Sequence, residues 1–255
     1  GIPAVLSGRD VMAAGQTGTG KTAGFTLPML ELLSKGQRAQ NNTIRALVLT
    51  PTRELAAQVG ESVETYGKQL ALSYSVVFGG VKINPQMMQL RRGADILVAT
   101  PGRLMDLYQQ NAIKLNQLEM LVLDEADRML DMGFIHDMER VADEARWRLQ
   151  TMLFSATLEG KGLDRFSATV LKDPIRVDAN PSRKESAKII QWVHLADDLE
   201  HKQQLLAHLL TQPELERTIV FVKTRERLAE LVSKLQSLGI HVSYLQGKMA
   251  QDKRN

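Results

Sequence analysis

The chain has 255 residues, of which 44% are hydrophobic and 24% are charged, and it carries a formal net charge of +3. This composition is that of an ordinary globular protein with one or two domains, and the weak positive charge suits an anionic partner or a plain mixed surface. The absence of cysteine excludes disulfides and thiolate metal sites. No apolar run approaches membrane-spanning length and no signal peptide opens the sequence, so we expect a cytoplasmic protein without a membrane segment.

The first motif has the spacing of a phosphate-binding loop. An apolar run at residues 10–14 is typical of a strand, and the residues after Lys21 have helical spacing. Between them stands G-x-x-x-x-G-K-T, formed by Gly15, Gln16, Thr17, Gly18, Thr19, Gly20, Lys21 and Thr22. Backbone N–H groups of such a loop surround a phosphate, Lys21 reaches the outer phosphates, and the Thr22 hydroxyl binds Mg²⁺. A Gly-rich turn before a helix is the alternative, and the flanking elements favour the nucleotide site.

Strand-like apolar runs then alternate with helix-length segments as far as residue 178. The runs are Ala46–Leu49, Ser75–Phe78, Ile96–Ala99, Leu121–Leu123, Met152–Phe154 and Ile175–Val177. The segments between them include Glu54–Leu70, Pro85–Arg92, Leu104–Asn111 and Phe134–Arg146. This alternation predicts an α/β fold in which a parallel sheet carries helices on both faces.

Two strand ends share the pattern Thr-Pro-x-Arg. Pro51, Thr52 and Arg53 follow one strand, and Thr100, Pro101, Gly102 and Arg103 follow another. Thr suits an N-cap and Pro the first helical position, so each Arg falls in a first turn, where the helix dipole disfavours a cation. The repetition favours an anion such as a nucleic-acid backbone at both ends. Pairing of the arginines with Glu54, Asp106 or another local acid is the alternative, and Gly79-Gly80 permits either a close backbone approach or a plain turn.

Paired acids follow the most apolar strand. Met120–Leu123 runs directly into Asp124 and Glu125, which places both carboxylates at the carboxyl edge of the sheet. Asp124 suits Mg²⁺, directly or through water, and Glu125 suits the activation of an attacking water. An acidic first turn that stabilises the next helix is the alternative, which explains Asp127 but not paired acids at a buried strand end.

A later strand ends in Ser155-Ala156-Thr157. Its hydroxyls either take part in the site or cap the next helix, and the spacing alone does not separate the two.

Residues 179–187 carry a proline and a polar run and predict a linker between two domains. The alternation restarts after it, with strands at Ile189–Leu195, Thr218–Val222 and His241–Tyr244 and helices at Leu199–Leu210 and Arg225–Leu238. We therefore expect a domain at 1–178 and a partial one at 188–255, and a half-sheet of the latter size should be marginal.

Taken together, these motifs resemble those of the DEAD-box ATP-dependent RNA helicases over nearly the whole chain. The first part is most similar to the bacterial RhlE subgroup, and the part from about Arg146 onward to the SrmB subgroup. The resemblance implies two RecA-like domains that flank ATP and Mg²⁺, with RNA crossing both. It implies RNA-backbone contacts for Pro51, Thr52, Arg53, Gly79, Gly80, Thr100, Pro101, Gly102, Arg103, Gln251 and Arg254. It also implies that Asp127, Ser155 and Thr157 couple hydrolysis to strand separation.

Two departures from the family pattern modify this expectation. Gly1-Ile2-Pro3 resembles the residues just after the family's adenine-reading Gln motif, and the sequence stops before the segments that supply the arginine finger. We therefore expect a fragment. Because an arginine finger contributes several orders of magnitude in rate, we expect the chain by itself to be a poor ATPase and no helicase.

The sequence thus predicts an ATP-dependent RNA helicase whose RNA contacts are independent of base sequence. Ribosomal precursor particles are a candidate partner by analogy with the subgroup. A P-loop kinase or DNA-directed ATPase, and a non-catalytic RNA module that uses nucleotide only as a clamp, remain the rival interpretations.

Overall fold

Seven parallel strands form one sheet in the computed structural model of the chain. The strands are β1 (Val11–Ala14), β2 (Ile44–Leu49), β3 (Tyr74–Val77), β4 (Ala94–Ala99), β5 (Met120–Leu123), β6 (Gln150–Ser155) and β7 (Ile175–Asp178). Their order across the sheet is β3-β4-β2-β5-β6-β1-β7, and every pair is parallel. The predicted α/β fold is confirmed. The structure describes residues 1–16, 18–158, 160–179, 190–213, 215–247 and 249.

Eight helices accompany the sheet. They are α1 (Ile2–Leu6), α2 (Lys21–Ser34), α3 (Arg53–Gly67), α4 (Ile83–Leu90), α5 (Pro101–Gln109), α6 (Ala126–Asp131), α7 (Ile135–Glu144) and α8 (Lys161–Val170). Helix α5 begins as the Thr-Pro pattern predicts, with Thr100 at the N-cap and Pro101 in the first turn. The prediction was wrong for the other segment, because α3 begins only at Arg53 and its N-cap is Thr52, whose hydroxyl accepts the N–H of Leu55.

Alternate residues of the central strands supply two hydrophobic layers. On β2, Ala46 and Val48 belong to the layer that packs against α1, α2 and α3, whereas Leu47 and Leu49 belong to the layer that packs against α4 to α8. All six residues of β2 are therefore buried, as expected for a parallel strand with helices on both faces. The Phe25 and Phe154 rings, 5.1 Å apart, join α2 to β6.

A buried ion-pair network closes the amino-terminal edge of the sheet. Arg45 of β2 donates from Nε to Glu119 Oε1 at 2.6 Å and lies 3.4 Å from Asp95 Oδ1. Asp95, which is fully buried, also accepts the backbone N–H groups of Ala39 and Ser73. Burial acts to raise the pKa of Asp95, but these hydrogen bonds and Arg45 outweigh it and hold the pKa below its usual value.

The described residues divide into two compact units, one within 1–185 and one within 186–255. In the second unit, helices α9 (Leu199–Leu210) and α10 (Arg225–Ser237) form as predicted. The predicted strands were wrong, since residues 190–195, 218–222 and 241–244 form no strand among those the structure describes. Such short segments need neighbouring strands and a covered face, yet Phe221 is 94% exposed.

None of the helices in the described ranges is long and apolar enough to cross a membrane.

Candidate nucleotide and RNA site

The predicted motifs follow six adjacent strands along one edge of the sheet. Carboxyl ends of parallel strands meet at the same edge, where such folds bind ligands. The order β5-β6-β1 places the acidic pair, the Ser155 segment and the glycine loop side by side. The order β3-β4-β2 places the glycine pair next to the two Thr-Pro segments. The edge therefore has a half suited to nucleotide and a half suited to an extended anion.

The glycine loop turns tightly between β1 and α2. Gly18 and Gly20 have φ angles of 86° and 80°, a region that favours glycine, and Gly20 is the N-cap of α2. A Cβ on Gly15 would lie 2.7 Å from Thr19 Oγ1 and 3.6 Å from the Lys21 side chain, so these groups pack directly against the Gly15 backbone. Thr17 lies outside the described residues.

Asp124 is a buried carboxylate at the end of β5. Its backbone N–H donates to Leu49 O at 2.9 Å, and its Oδ1 accepts the N–H of Glu125 at 3.1 Å. Burial raises the pKa of Asp124 to about 6, with Glu125 and Asp127 adding to the rise and Lys21 opposing it. A buried acid so poorly neutralised favours a cation.

Glu125 occupies an unusual backbone position. Its φ and ψ are 52° and 50°, in the left-handed region, and it is the N-cap of α6. Such conformations in a residue other than glycine are strained by about 1–3 kcal/mol and cluster at functional sites. Its side chain is held at the surface by Arg128, with Nη1 3.2 Å from Oε2.

Hydrogen bonds join the three motifs of the nucleotide half. Asp127 Oδ2 accepts the backbone N–H of Ala156 at 3.1 Å, and the N–H of Gly15 donates to Ser155 O at 3.1 Å. The Ser155 hydroxyl accepts the N–H of Thr157 at 3.3 Å. Helix α8 has Gly160 as its N-cap, so neither hydroxyl takes the cap position that the alternative interpretation required. Movement of any one of these three motifs would therefore change the positions of the other two.

In the other half, Arg53 meets the glycine pair. A Cβ added to Gly80 would overlap the Arg53 guanidinium, and Gly80 has a φ of 79°. Among the described residues, no acid lies within ion-pair distance of Arg53. Arg53 therefore retains a half-buried, unneutralised charge beside an open backbone.

Arg103 is placed differently, since it is turned into the protein. Only 7% of it is exposed. Its Nη1 donates to Gln86 Oε1 at 2.7 Å, its Nη2 donates to Val81 O at 2.9 Å, and its Nε lies 3.7 Å from Asp106. The local acid of the alternative interpretation is thus present, and the Arg103 head is occupied within the fold.

Sequence reasoning missed Gln86. It is buried, and its Nε2 donates to Phe78 O at 3.3 Å while its Oε1 accepts from Arg103. This side chain joins α4, α5 and the loop that contains Gly79 and Gly80. Nothing in the sequence around it marked it, because the contact forms only when these elements pack.

Gln251 and Arg254, which were predicted to contact RNA, lie outside the described residues.

The residues present fit a nucleoside triphosphate with Mg²⁺. The start of α2 offers backbone N–H groups and Lys21 for phosphate, and the half-buried Thr22 and buried Asp124 offer oxygen ligands. In the described parts of the chain no three His, Asp or Glu side chains cluster as a metal cage. Mg²⁺ is usually held by one or two carboxylates and phosphate oxygens, which Asp124 and a bound phosphate would supply.

A parallel α/β sheet with a phosphate loop on one strand and paired acids on a nearby strand defines the class of P-loop nucleotide-binding proteins. The DEAD/DEAH box helicase family model matches residues 1–166. The chain belongs to that family.

Similar proteins include two named ATP-dependent RNA helicase SrmB. The one from Escherichia coli is 49% identical over 254 residues and the one from Haemophilus influenzae 47%, each match covering the whole chain. The similarity to SrmB thus extends beyond the part after Arg146. The chain spans 57% and 58% of the length of these relatives.

Solved structures support the same assignment. A hypothetical ATP-dependent RNA helicase from Sulfolobus tokodaii has a TM-score of 0.64 at 34% identity, covering 99% of this chain and 70% of that one. A DEAD box protein from Methanococcus jannaschii has a TM-score of 0.64 at 32% identity, covering 99% and 66%.

Proposed function

We propose that this chain is the nucleotide-binding part of an ATP-dependent RNA helicase. The observation that carries the proposal is that hydrogen bonds join the Ser155 segment to the glycine loop, from Gly15 N–H to Ser155 O, and to the acidic segment, from Ala156 N–H to Asp127 Oδ2. On the same sheet edge, Arg53 lies against Gly80. A phosphate site and an open cationic backbone site on the same edge suit a protein that binds nucleotide and a polyanion together.

We assign the nucleotide site as follows. The loop from Gly15 to Gly20 and Lys21 bind the phosphates, and Thr22 and Asp124 hold Mg²⁺. The bound Mg²⁺ supplies neutralisation of the phosphate charge. Glu125 orients a water and accepts its proton, which requires its carboxylate to exchange Arg128 for that water. The Arg128 side chain of this pair is 57% exposed and that of Glu125 is 23% exposed, so water can replace Glu125 as the partner of Arg128.

We assign the RNA side to the other half of the edge. One part of the RNA strand contacts Arg53 and the backbones of Pro51, Thr52, Gly79 and Gly80. The next part of the RNA strand contacts the backbones of Thr100, Pro101 and Gly102. Arg103 supports this surface from behind, and Gln251 and Arg254 are proposed contacts from the second unit. Asp127, Ser155 and Thr157 are the proposed coupling residues, because the hydrogen bond from Ala156 to Asp127 joins the Ser155 segment to the acidic segment. Phosphate and sugar contacts make the binding independent of sequence.

The partner and its setting are the finer part of the proposal. Structured RNA is the substrate class, and ribosomal precursor particles are the candidate that the likeness to SrmB suggests. A cytoplasmic location accompanies such a substrate. Hydrolysis by these 255 residues alone should be slow, because the described part of the second unit pairs no strand that could carry further contacts to nucleotide or RNA.

Binding of a fluorescent ATP analogue to the chain tests the nucleotide site. We expect Mg²⁺-dependent binding that Lys21→Ala weakens at least about tenfold, because charge-assisted contacts to phosphate are lost. Lys35→Ala is the matched control, since Lys35 lies at the other end of α2 and pairs with Glu31. Equal binding by the wild type and Lys21→Ala would contradict the assignment.

Steady-state hydrolysis with and without single-stranded RNA tests the activity. We expect ATP turnover near background in both conditions. Robust RNA-stimulated turnover would contradict the prediction that these 255 residues hydrolyse ATP slowly. Stimulation by DNA instead of RNA would favour the DNA-directed rival. In a longer chain, Glu125→Gln should abolish ATP turnover if the protein is an enzyme. If the protein is a non-catalytic clamp, the unchanged chain should already show no turnover, and Glu125→Gln should keep its RNA affinity.

A further inference from the structure

A second basic surface lies at the opposite edge of the sheet from the motifs. Arg9 lies two residues before β1, Leu149 directly precedes β6 and Lys172 lies three residues before β7, and these three strands are neighbours. The amino-terminal ends of parallel strands share the edge opposite to their carboxyl ends. Strands of four to six residues separate the two edges by roughly 13–20 Å, so this surface is independent of the nucleotide site.

The turn that carries Trp147 at this edge is held rigidly. Arg148 donates from Nε to Thr151 Oγ1 at 2.6 Å, from Nη1 to Ala142 O at 2.7 Å and from Nη2 to Val170 O at 2.8 Å. Because Arg148 points inward, its neighbours Trp147 and Leu149 point outward, and they are 77% and 74% exposed. Two large apolar side chains fixed in this exposure are a feature of binding sites.

A partly cationic cavity of about 260 Å³ adjoins the turn that carries Trp147. The turn residues Arg146, Arg148 and Leu149 line it, together with the cations Arg9 and Lys172 and the acids Asp10 and Asp173. Both oxygens of Asp10 accept backbone N–H groups, and Asp173 pairs with Arg9 at 2.8 Å in an exposed position. Because exposed ion pairs contribute little and exchange readily, Arg9 can leave Asp173 for another anion. Arg146 and Lys172 are also exposed cations.

One face of the Trp147 ring already bears a cation. The Arg146 guanidinium lies 5.3 Å from the ring centroid, and the large exposed fraction of Trp147 leaves the other face open. An aromatic ring beside spaced cations is the arrangement that binds single-stranded nucleic acid, in which a base stacks on the ring and the backbone follows the charges. An acidic polypeptide would use the cations without a base to stack on the ring.

We propose that Arg9, Arg146, Trp147, Leu149 and Lys172 form an auxiliary binding surface for single-stranded RNA, here called the Trp147 surface. Trp147 stacks on a base, and Arg146, Lys172 and Arg9 contact the phosphates. The choice of RNA over other polyanions rests on the proposed function. The Trp147 surface would tether one strand of a structured RNA while the opposite edge acts on another region.

Fluorescence anisotropy of a labelled single-stranded oligouridine, without nucleotide, tests the proposal on the 255-residue chain. We expect Trp147→Ala to weaken binding about fivefold or more, since stacking contributes roughly 1–3 kcal/mol per base, and Trp147→Phe to retain most of the affinity. Arg146→Glu combined with Lys172→Glu should lower the slope of log affinity against log salt by about 1 to 1.5. Thiouridine-substituted RNA should crosslink to Trp147.

Matched controls separate the Trp147 surface from general charge. Arg91→Glu combined with Arg92→Glu changes two exposed arginines just before β4, which lies three strands from β6, and should leave the binding nearly unchanged. Trp192→Ala removes a comparably exposed tryptophan of the second unit. Thermal unfolding of each variant checks that the fold is intact.

Each outcome bears on one proposal or the other. Two results would overturn the Trp147 surface as an RNA site. One is an oligouridine affinity that is the same in the wild type and in all Trp147-surface variants, and the other is displacement of the RNA by polyglutamate. Lys21-dependent binding of the ATP analogue would still support the proposed function in that case. Trp147-dependent RNA binding without any binding of Mg²⁺-ATP would support the surface and overturn the proposed function.

Discussion

Single residues explain why two similar motifs behave differently. Arg53 is the first residue of α3 and lies against Gly80, whereas Arg103 is the third residue of α5 and binds Gln86 and Val81. The same letters, Thr-Pro-x-Arg, thus give one arginine available to a ligand and one that supports the fold. The position of the helix start decides the difference, because it sets the direction in which each side chain leaves the helix.

Gly80→Ala tests the contact of Arg53 with the glycine pair. The added methyl group would displace the guanidinium, and the positive φ of Gly80 adds strain, so we expect a loss of about 1 kcal/mol in stability and several-fold weaker RNA binding. Gly79→Ala is the matched control for stability, because its Cβ would meet no atom within 4 Å. Stability is read from urea unfolding and affinity from anisotropy, and equal stability of the two variants would refute the contact.

Asp124→Asn tests the balance between stability and ligand binding. Because burial raises the pKa of Asp124 to about 6, its ionised form at neutral pH destabilises the free chain. We expect the variant to gain about 1–3 kcal/mol in free energy of unfolding and to lose Mg²⁺-dependent ATP binding. Asp131→Asn changes an exposed acid of α6 and should do neither. A destabilised Asp124→Asn would contradict this account.

Among the elements, α4 and α5 are joined by a hydrogen bond from Arg103 to the buried side chain of Gln86. Gln86→Leu should cost about 2–3 kcal/mol, since it leaves the Arg103 guanidinium buried without its acceptor. Gln86→Glu keeps an acceptor and adds a countercharge, so we expect it to retain most of the stability. Thermal unfolding measures both, together with RNA affinity. Equal losses in the two variants would show that shape, and not the hydrogen bond, matters at this position.

The network around Asp95 gives a predicted pH dependence. The pKa of Asp95 is held below its usual value in the folded chain, so its contribution is complete above about pH 4 and is lost as the pH falls through the folded pKa. Asp95→Ala should cost about 3–5 kcal/mol at neutral pH, because Arg45 loses a buried partner, and less at lower pH. Urea unfolding across this pH range measures the effect. The control is Glu61→Ala, which changes an exposed acid of α3.

The elements also show where a sequence suffices and where it does not. All seven strands of the sheet were predicted, because most of them are apolar runs bounded by polar residues. Five of the seven are fully buried, whereas β3 and β7 are only partly buried. The start of α3 was predicted two residues early, since Thr50 and Thr52 both suit an N-cap and only packing chooses between them. Gln86 and the inward turn of Arg103 depend on the distance between α4 and α5, which no local pattern encodes.

At the scale of the whole molecule, the two units differ in how much they bury. The first has two hydrophobic layers around its sheet, while the described strand-like segments of the second leave Ile219 and Phe221 82% and 94% exposed. The sequence could predict apolar runs there but not their pairing, because a strand exists only with its neighbours.

Limited proteolysis should therefore separate the two units. We expect rapid cleavage within residues 190–249 and a resistant product that contains residues 1–178, because local opening depends on buried apolar contact. Hydrogen exchange should show the same division, with the β2 amides slowest. The product should still bind the ATP analogue. Uniform protection along the chain would contradict the predicted difference in stability between the two units. Rapid cleavage inside β5 or β6 would contradict the predicted stability of the sheet.

The place of β1 in the sheet has a consequence for the order in which the protein is made. Val11–Ala14 pairs with Met152–Ser155 on one side and with Ile175–Asp178 on the other, so the first strand of this sheet cannot complete its pairing until β6 and β7 have been synthesised. The glycine loop, whose only described backbone bond to a strand runs from Gly15 to Ser155, has no fixed support until then. A nascent chain that stops short of β6 carries the phosphate-binding sequence without the site, and nucleotide binding becomes a property of the finished sheet.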